Sequence, residues 1–528
     1  MIAGRLVMLQ LLLCCHLGGS TCLASAEEAR TVGERIALAR LKEIRAVTPV
    51  MRDALWSDFD PAAMPAVIHQ PGGWAVAVGF TAPPAGFTLV DGVKDGDRNV
   101  YHAGPGVFRH VGRSPALVSG QWAVVSRFEP PEVLVRGDHL GRRNADEVVA
   151  DFVGDAFLIY LMGQRKSSQP FASGPSSYPD DAELMALTAI EQRILMKGIR
   201  MPFNEKNLTE FQNVVRQIVA VHRARWAIMG PELAAAERET ESWEGLREFV
   251  VSFVFRAATS GTLVPAGTAG DDITFQGYRS AVLERMIVTD FRLMRVPDNP
   301  TLSPAQIAGR AGALAWVLDR FAKVAWRLQV IPGDKPLVDV AAEELNVKLE
   351  DEAALLQAAR SEYHYDAALA LARADLGRIV EERQATLRQL MPPARRRLQI
   401  RLNHAKVLSY QDDPDESSAL GGGWLLHPTM LQLKADGLEL TFEAPDGAGG
   451  GAVLTRAGAR RSRVEEITIL LPDKGPVTVG GKPAKARKSP WNLTDTTSFE
   501  ISASGLTVRL TAGSLSSGGS GVWEAGLP

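Results

Sequence analysis

The feature that most constrains this chain is an apolar stripe within residues 145–164. Apolar residues recur there with the 3.6-residue period of an α-helix, at Val149, Phe152, Val153, Ala156 and Tyr160. A helix with such a stripe is stable only when neighbouring elements cover it. The spacing therefore predicts a buried helix over about 145–164, at the centre of a larger helical domain.

Helical periodicity continues over residues 141–391, with further helices predicted near 181–200, 206–228, 232–258, 275–295, 303–329, 337–360 and 362–390. Before it, residues 27–140 join one helical segment to short β-rich runs between Pro and Gly turns. After it, residues 398–528 alternate apolar and polar residues and predict a β-sandwich. The sequence thus predicts an α+β multidomain protein, with a central mainly helical domain between a β-rich subdomain and an all-β domain.

The first 26 residues have the pattern of a secretory signal. Arg5 precedes the apolar run Leu6–Leu13, and the small residues Ala24–Ala26 resemble a cleavage site. We expect cleavage near Ala26 and export to the periplasm or the extracellular medium. The apolar run is too short for a membrane span, and no later 18-residue apolar segment occurs. All three cysteines lie inside this segment, so we expect no disulfide and no thiolate ligand in the mature chain.

Charge and motifs disfavour several classes of function. The formal net charge of −3 gives no strongly basic face of the kind that binds nucleic acid. The sequence contains no G-x-S-x-G nucleophile elbow, no phosphate-binding G-x-x-x-x-G-K-[ST] loop and no G-x-G-x-x-G fingerprint. The expected partner is accordingly a peptide, a protein or a cell-envelope component.

The buried helix carries an altered version of the zinc-peptidase pattern His-Glu-x-x-His. In that pattern two histidines four residues apart bind one metal, and the glutamate activates a water molecule. The matching positions are Gly154, Asp155 and Leu158, which provide no metal ligand and a shorter carboxylate. A glycine inside a helix costs about 1 kcal/mol relative to alanine. We therefore predict that Gly154 admits a close neighbour and that Leu158 fills the core.

The segment Val153–Tyr160 nevertheless resembles the first motif of gluzincin-type zinc metallopeptidases, above all a bacterial secreted group. That group joins a V-H-E-A-F-H-x-Y-Q helix to a later E-G-L-A-E-Y-V helix, which supplies the third zinc ligand. The segment Trp243–Val250 resembles this second motif, and Glu244 matches the third ligand. Weaker similarity at Leu55–Pro61 and Gly312–Arg327 extends the resemblance over most of the mature chain. The resemblance implies a zincin-like domain in which the two motif helices pack together.

Two sets of side chains could still form a site. If the two helices face each other, Asp155 and Glu244 would approach as a carboxylate pair suited to acid–base work or a hard cation. The alternative is a solvated acidic face balanced by arginines, since four glutamates recur at helical spacing, at Glu237, Glu241, Glu244 and Glu248. His222 lies on an apolar stripe and should point inward, either as a core histidine or as a relocated metal ligand with Glu244.

Three hypotheses follow. The first is an exported pseudo-metallopeptidase that holds no metal or other cofactor and serves as a binding module. The second is an active periplasmic hydrolase with a non-standard carboxylate or zinc site built from Asp155, Glu244 and His222. The third is a structural envelope protein unrelated to zincins. A fold in which helix 145–164 does not contact helix 232–258 would favour the third hypothesis.

Overall fold

The structure is a computed structural model, and it describes residues 32–110, 114–128, 145–165, 178–259, 304–322, 325–331, 334–391 and, with short gaps, the strands between 397 and 526. The signal segment 1–26 and the helix expected at 275–295 lie outside the described residues. The chain divides into two compact units. The first comprises residues 1–110, 117–153 and 257–280, and the second comprises residues 111–116, 154–256 and 281–528.

The first unit contains a long helix and a six-stranded sheet. Its elements are α1 (Val32–Ala54), a 3₁₀ turn (Pro61–Ala63), β1 (Ala66–His69), β2 (Ala75–Val78), β3 (Thr88–Asp95), β4 (Arg98–Ala103), β5 (Ala116–Val118) and β6 (Gln121–Arg127). The strand order is β3-β4-β2-β1-β6-β5, and β1 runs parallel to β6 but antiparallel to β2. Every residue of β1 and β2 is buried, which explains their nearly continuous apolar sequence. The predicted β-rich runs near 74–78 and 121–125 are confirmed.

The helices that follow are numbered in chain order: α2 (Ala145–Arg165), α3 (Ala182–Arg200), α4 (Leu208–Met229), α5 (Pro231–Thr240), α6 (Leu246–Thr259), α7 (Pro304–Phe321), α8 (Ala325–Val330), α9 (Leu337–Glu344), α10 (Leu349–Glu362) and α11 (Tyr365–Leu390). The predicted helix 232–258 is interrupted, because a π-helical turn at Glu241–Gly245 separates α5 from α6. The predicted helix 337–360 is also two helices. Asn346 adopts a positive φ of 51° between them, a conformation that asparagine tolerates better than most residues.

Local sequence signals place α3, α4 and α5. Asp181 caps α3 by accepting a hydrogen bond from the backbone N–H of Leu184 at 2.8 Å. Gly230, with a φ of 76°, ends α4 and allows the chain to turn, and Pro231 occupies the first position of α5, where its missing N–H leaves no helical hydrogen bond unmade. Both α3 and α5 pack against α4, while α7 packs against α3 and against the π-helical turn. These contacts bring polar residues of five segments, the four helices and the π-helical turn, into one interior.

The carboxyl-terminal part of the second unit forms two seven-stranded sheets. Their strands are β7 (Arg397–Arg401), β8 (Val407–Asp412), β9 (Ser418–Gly421), β10 (Trp424–His427), β11 (Met430–Ala435), β12 (Leu438–Glu443), β13 (Ala452–Ala457), β14 (Val464–Leu470), β15 (Thr478–Val479), β16 (Lys482–Pro483), β17 (Phe499–Ala503), β18 (Leu506–Leu510), β19 (Ser514–Gly518) and β20 (Val522–Gly526). The orders are β19-β20-β7-β14-β13-β10-β9 and β16-β15-β17-β18-β12-β11-β8.

One apolar core joins these two sheets. It includes Ile400 and Ile467 from the first sheet and Leu433, Leu440 and Phe442 from the second. In β7 and β12 buried and more exposed residues alternate, which is the arrangement that the apolar–polar alternation predicts. The predicted mixed α+β class is therefore confirmed. Within the described residues, none of the helices is both long and apolar enough to cross a membrane.

Candidate functional site

The first region of interest is the contact between α2 and α6. A Cβ atom at Gly154 would lie 2.6 Å from Val251 Cγ2 and 3.1 Å from Arg247 Cγ. A side chain at position 154 would therefore overlap α6, so the predicted close-packing role of Gly154 is confirmed. Leu158 is fully buried, as its predicted role in the core requires.

Asp155 is held by a cation at the same contact. Its Oδ1 accepts a hydrogen bond from Arg247 Nε at 2.8 Å, while Arg247 Nη1 donates to Glu248 Oε1 at 2.9 Å. The carboxylate at the position of the catalytic glutamate is thus one half of an ion pair between α2 and α6.

The π-helical turn separates the four glutamates that a regular helix would place on one face. Glu237 and Glu241 are buried, with 0% and 3% of their surface exposed, whereas Glu244 and Glu248 are half-buried. A π-helical turn holds more residues than an α-helical turn and so rotates the side chains that follow it. The expectation of a solvated acidic face is wrong for Glu237 and Glu241.

Gly245 explains why the chain approaches α7 closely at this turn. A Cβ at position 245 would lie 2.2 Å from the Cβ of Ala311 and 3.3 Å from its Cα. The glycine of the Glu-Gly-Leu motif is therefore required by packing between the π-helical turn and α7. Trp243, on the same turn, is buried.

The second region is a set of six ionisable side chains in the interior of the helices. They come from α3, α4, α5, the π-helical turn and α7, and each is at most 3% exposed. We call them the ionic cluster: Glu191, His222, Arg225, Glu237, Glu241 and Arg310. The inward orientation predicted for His222 is confirmed, but its neighbours are residues that the sequence analysis did not assign to a site.

His222 lies between two carboxylates. Its Nδ1 is 2.6 Å from Glu191 Oε1, and its Nε2 is 3.3 Å from Glu241 Oε1. The second contact does not have the geometry of a hydrogen bond. The ring also packs edge-on against Trp226, with 4.4 Å between ring centroids. His222 is therefore fixed in place by an acid on each side and by an aromatic ring.

Two arginines complete the cluster. Arg225 donates from Nη1 to Glu191 Oε2 at 2.8 Å and from Nε to Thr188 Oγ1 at 3.0 Å, and its Nη2 lies 2.9 Å from Glu237 Oε1. Arg310 approaches the same two glutamates less closely, with Nε 3.4 Å from Glu191 and Nη2 3.6 Å from Glu237. The hydroxyl of Tyr178 donates to the other oxygen of Glu237.

The pKa values follow from burial and from these neighbours. Burial alone would lower the pKa of His222, but Glu241 and Glu191 raise it to about 10. Burial opposes ionisation of Glu191, yet Arg225 and His222 lower its pKa to about 2. Burial raises the pKa of Glu241, although His222 partly offsets that increase. With all six groups ionised, three positive charges meet three negative charges, and the buried cluster is electrically balanced.

The cluster also contains a possible set of metal ligands. His222, Glu237 and Glu241 each offer one ligand atom, and these three atoms lie within 4.8 Å of one another. Of the two candidate ligands, His222 belongs to this group and Glu244 does not, and Glu237 and Glu241 provide the carboxylates. One sequence signal could have found more of the cluster, because Arg225 continues the inward stripe of Ile218 and His222 at helical spacing.

Comparisons with known proteins add no relative. The chain matches no protein-family model, no curated protein and no solved structure with which it was compared. The resemblance to gluzincins accordingly depends on the two helical motifs and on the contacts of the residues within them.

Proposed function

We propose that this chain is an exported, zincin-derived protein that does not hydrolyse peptides by the zinc–water route. Its helical domain, flanked by the amino-terminal β-rich subdomain and the carboxyl-terminal all-β domain, would serve to bind a peptide, a protein or a cell-envelope component. The observation that carries this proposal is the contact between α2 and α6, where packing and an ion pair occupy the positions of the catalytic groups.

A catalytic zinc ion needs three protein ligands and an open position for water. The matching positions in this chain hold Gly154, Leu158 and Glu244, so two of the three have no ligand atom. Val251 and Arg247 fill the space beside Gly154, and Arg247 binds the carboxylate of Asp155. Restoring a zinc site here would require a rearrangement of both helices as well as new ligands.

The same contact bears on the hypothesis of an unrelated envelope protein. That hypothesis is favoured by a fold in which the two motif helices lie apart, but Asp155 and Arg247 lie 2.8 Å apart across them. A zincin-type pair of helices requires this proximity. The contact therefore supports zincin ancestry over an accidental match of the motifs.

Peptidase activity of the full mature chain tests the first part of the proposal. We expect no new amino termini when the protein is incubated with unfolded casein, with or without added zinc, in an assay that detects a known zinc peptidase. Hydrolysis that a chelator abolishes, and that Glu244→Gln abolishes while the exposed control Glu205→Gln does not, would instead support the active hydrolase.

The binding role needs a separate measurement. Cosedimentation with purified peptidoglycan tests binding to an envelope component. Retention on immobilised casein peptides tests binding to an extended polypeptide. We expect saturable binding to one of them. Binding to neither, at protein concentrations where the fold is intact by circular dichroism, would contradict a role in recognising these two classes of ligand.

A further inference from the structure

Among the described residues, six buried side-chain atoms of the ionic cluster lack a hydrogen-bond partner: the three nitrogens of the Arg310 guanidinium group and three further atoms. The further atoms are His222 Nε2, Glu237 Oε1 and Glu241 Oε1. They belong to the three residues whose ligand atoms lie within 4.8 Å of one another, one atom from each residue. Buried polar atoms without hydrogen bonds are uncommon in proteins and indicate a missing partner such as an ion or a water molecule.

The orientation of His222 is that of a metal ligand with a supporting carboxylate. Metal-binding histidines usually direct their other ring nitrogen to a carboxylate, which fixes the ring and its tautomer. Glu191 occupies that position, 2.6 Å from Nδ1, and Arg225 in turn fixes Glu191. Because Nδ1 faces Glu191, the other ring nitrogen, Nε2, faces Glu241.

The separation between Nε2 and Glu241 Oε1 also suits a shared metal ion. Zinc bonds of about 2.0–2.2 Å, opened at the tetrahedral angle, place two ligand atoms about 3.3–3.5 Å apart. The observed separation is 3.3 Å, without hydrogen-bond geometry. One imidazole and two carboxylates form a set of nitrogen and oxygen ligands that suits zinc and similar divalent transition metals better than calcium or magnesium.

We propose that His222, Glu237 and Glu241 bind one divalent transition-metal ion, with zinc the best match, in the interior of the helical domain. This site is distinct from the zincin site, because none of the three positions that match zincin ligands, Gly154, Leu158 and Glu244, belongs to it. It goes beyond the proposed binding function, because a fully buried ion stabilises the arrangement of α4, α5 and the π-helical turn without contacting an external ligand.

The two arginines set the charge of the metal-bound cluster. Arg225 Nη2 lies 2.9 Å from Glu237 Oε1, but a carboxylate oxygen has two lone pairs and can serve both a guanidinium group and a metal ion. With neutral His222, a divalent ion and two arginines face three carboxylates, and one positive charge remains. A hydroxide at the fourth coordination position would cancel it. The competing arrangement is a metal-free cluster in which protonated His222 supplies the third positive charge.

Zinc content of the full mature chain separates these two arrangements. The protein is stripped with a chelator, equilibrated with zinc, desalted and analysed by mass spectrometry, and competition with a zinc-sensitive dye gives the affinity. We expect about one zinc ion per chain. His222→Asn and Glu241→Gln should each weaken zinc binding by at least about tenfold, since loss of a ligand should cost no less than loss of a supporting residue.

Glu244→Gln and Asp155→Asn are the controls. Glu244 shares the π-helical turn with the proposed ligand Glu241, and Asp155 lies on α2, which carries no proposed ligand. We expect both to retain zinc. Zinc-free wild-type protein would overturn the proposal, and so would zinc that is lost in Glu244→Gln but kept in Glu241→Gln.

X-ray absorption of zinc-loaded wild-type protein gives an answer even if a ligand variant fails to fold. The proposal requires a shell of nitrogen and oxygen ligands with the signal of one imidazole. A shell with no imidazole or with two would overturn it. Because this measurement does not depend on peptide hydrolysis or binding, its failure would leave the proposed function to its own tests.

Discussion

The α2–α6 contact and the ionic cluster both place carboxylates against arginines between helices, yet they differ in depth and composition. At the α2–α6 contact one ion pair, between Asp155 and Arg247, has side chains that are 13% and 16% exposed. In the cluster, six ionisable side chains are at most 3% exposed. The segment that resembles an enzyme motif is thus mainly a packing contact. The buried charges are concentrated outside the two segments, 153–160 and 243–250, that resemble enzyme motifs.

This difference predicts unequal energetic roles. Ion pairs at the surface contribute at most about 1 kcal/mol, because water and salt screen them. The pair of Asp155 with Arg247, whose side chains are 13% and 16% exposed, is screened only in part. Removing one member of a buried ionic network leaves its partners charged in a medium of low polarity, at a cost of about 3–5 kcal/mol. Packing contacts around a glycine lie between these limits.

The largest effect is expected for Arg225→Met. This change removes the closest cation from Glu191 and Glu237. Glu191 keeps His222 and the more distant Arg310, and Glu237 keeps Arg310 and the Tyr178 hydroxyl, so the free energy of unfolding should fall by about 3–5 kcal/mol. Arg247→Met, at the α2–α6 contact, should cost less, about 1–2 kcal/mol, because the Asp155 side chain left behind is 13% exposed and keeps some contact with water. Urea denaturation of both variants measures the difference, and equal losses would show that the two regions are energetically alike.

The next effect is expected for Gly245→Ala. Its Cβ would approach Ala311 to 2.2 Å, and part of that contact is with backbone, which cannot move aside cheaply. We expect a loss of about 1–3 kcal/mol in urea denaturation. A variant as stable as the wild type would mean that α7 can withdraw from the π-helical turn.

A smaller effect is expected for two glycines of α2, whose replacement by alanine should change the free energy of unfolding in opposite directions. Gly154→Ala should lower the free energy of unfolding by about 1 kcal/mol, since contact with the stiff side chain of Val251 outweighs the gain in helix propensity. At Gly163 no described atom lies within 4 Å of the position of an added Cβ. Gly163→Ala should therefore raise the free energy of unfolding by up to about 1 kcal/mol, through the higher helix propensity of alanine. Thermal unfolding compares the two, and stabilisation by both would contradict close packing at Gly154.

The smallest effect concerns pH and contrasts the ionic cluster with a single histidine of the first unit, His69. Burial, with His110 and Arg127 nearby, lowers the pKa of His69 on β1 to about 4. Between pH 6.5 and 4 the unfolded chain therefore takes up a proton that the folded chain does not, and stability falls as the pH falls. The pKa values of about 2 for Glu191 and about 10 for His222 lie outside that interval.

Between pH 6.5 and 4 we expect His69 to lower the free energy of unfolding of the wild type by an amount on the order of 1 kcal/mol, and His69→Gln to abolish this decrease. Urea denaturation of the variant and the wild type at both pH values measures the difference. Carboxylates that titrate in both proteins cancel in this difference. If the free energy of unfolding depends on pH equally in the variant and in the wild type, the acid sensitivity of the chain is due to other groups.

Local pattern in the sequence determined the class of fold and most of its elements. Apolar periodicity predicted α2 within a residue at its carboxyl end, and alternation predicted the strands around Ile400, Leu433 and Val508. The same reasoning assigned Gly154 and Leu158 to packing, because a glycine inside a helix and a leucine on an apolar stripe have few other uses.

The tertiary structure alone decided which polar residues share the interior. Glu191, His222, Glu237 and Arg310 come from four segments, and only the packing of α3, α4, α5 and α7 brings them together. The π-helical turn, which a constant period of 3.6 residues does not anticipate, buries Glu241 and leaves Glu244 half-buried. Helical periodicity is a property of neighbouring residues, whereas the pairing of buried charges depends on distances between residues far apart in the chain.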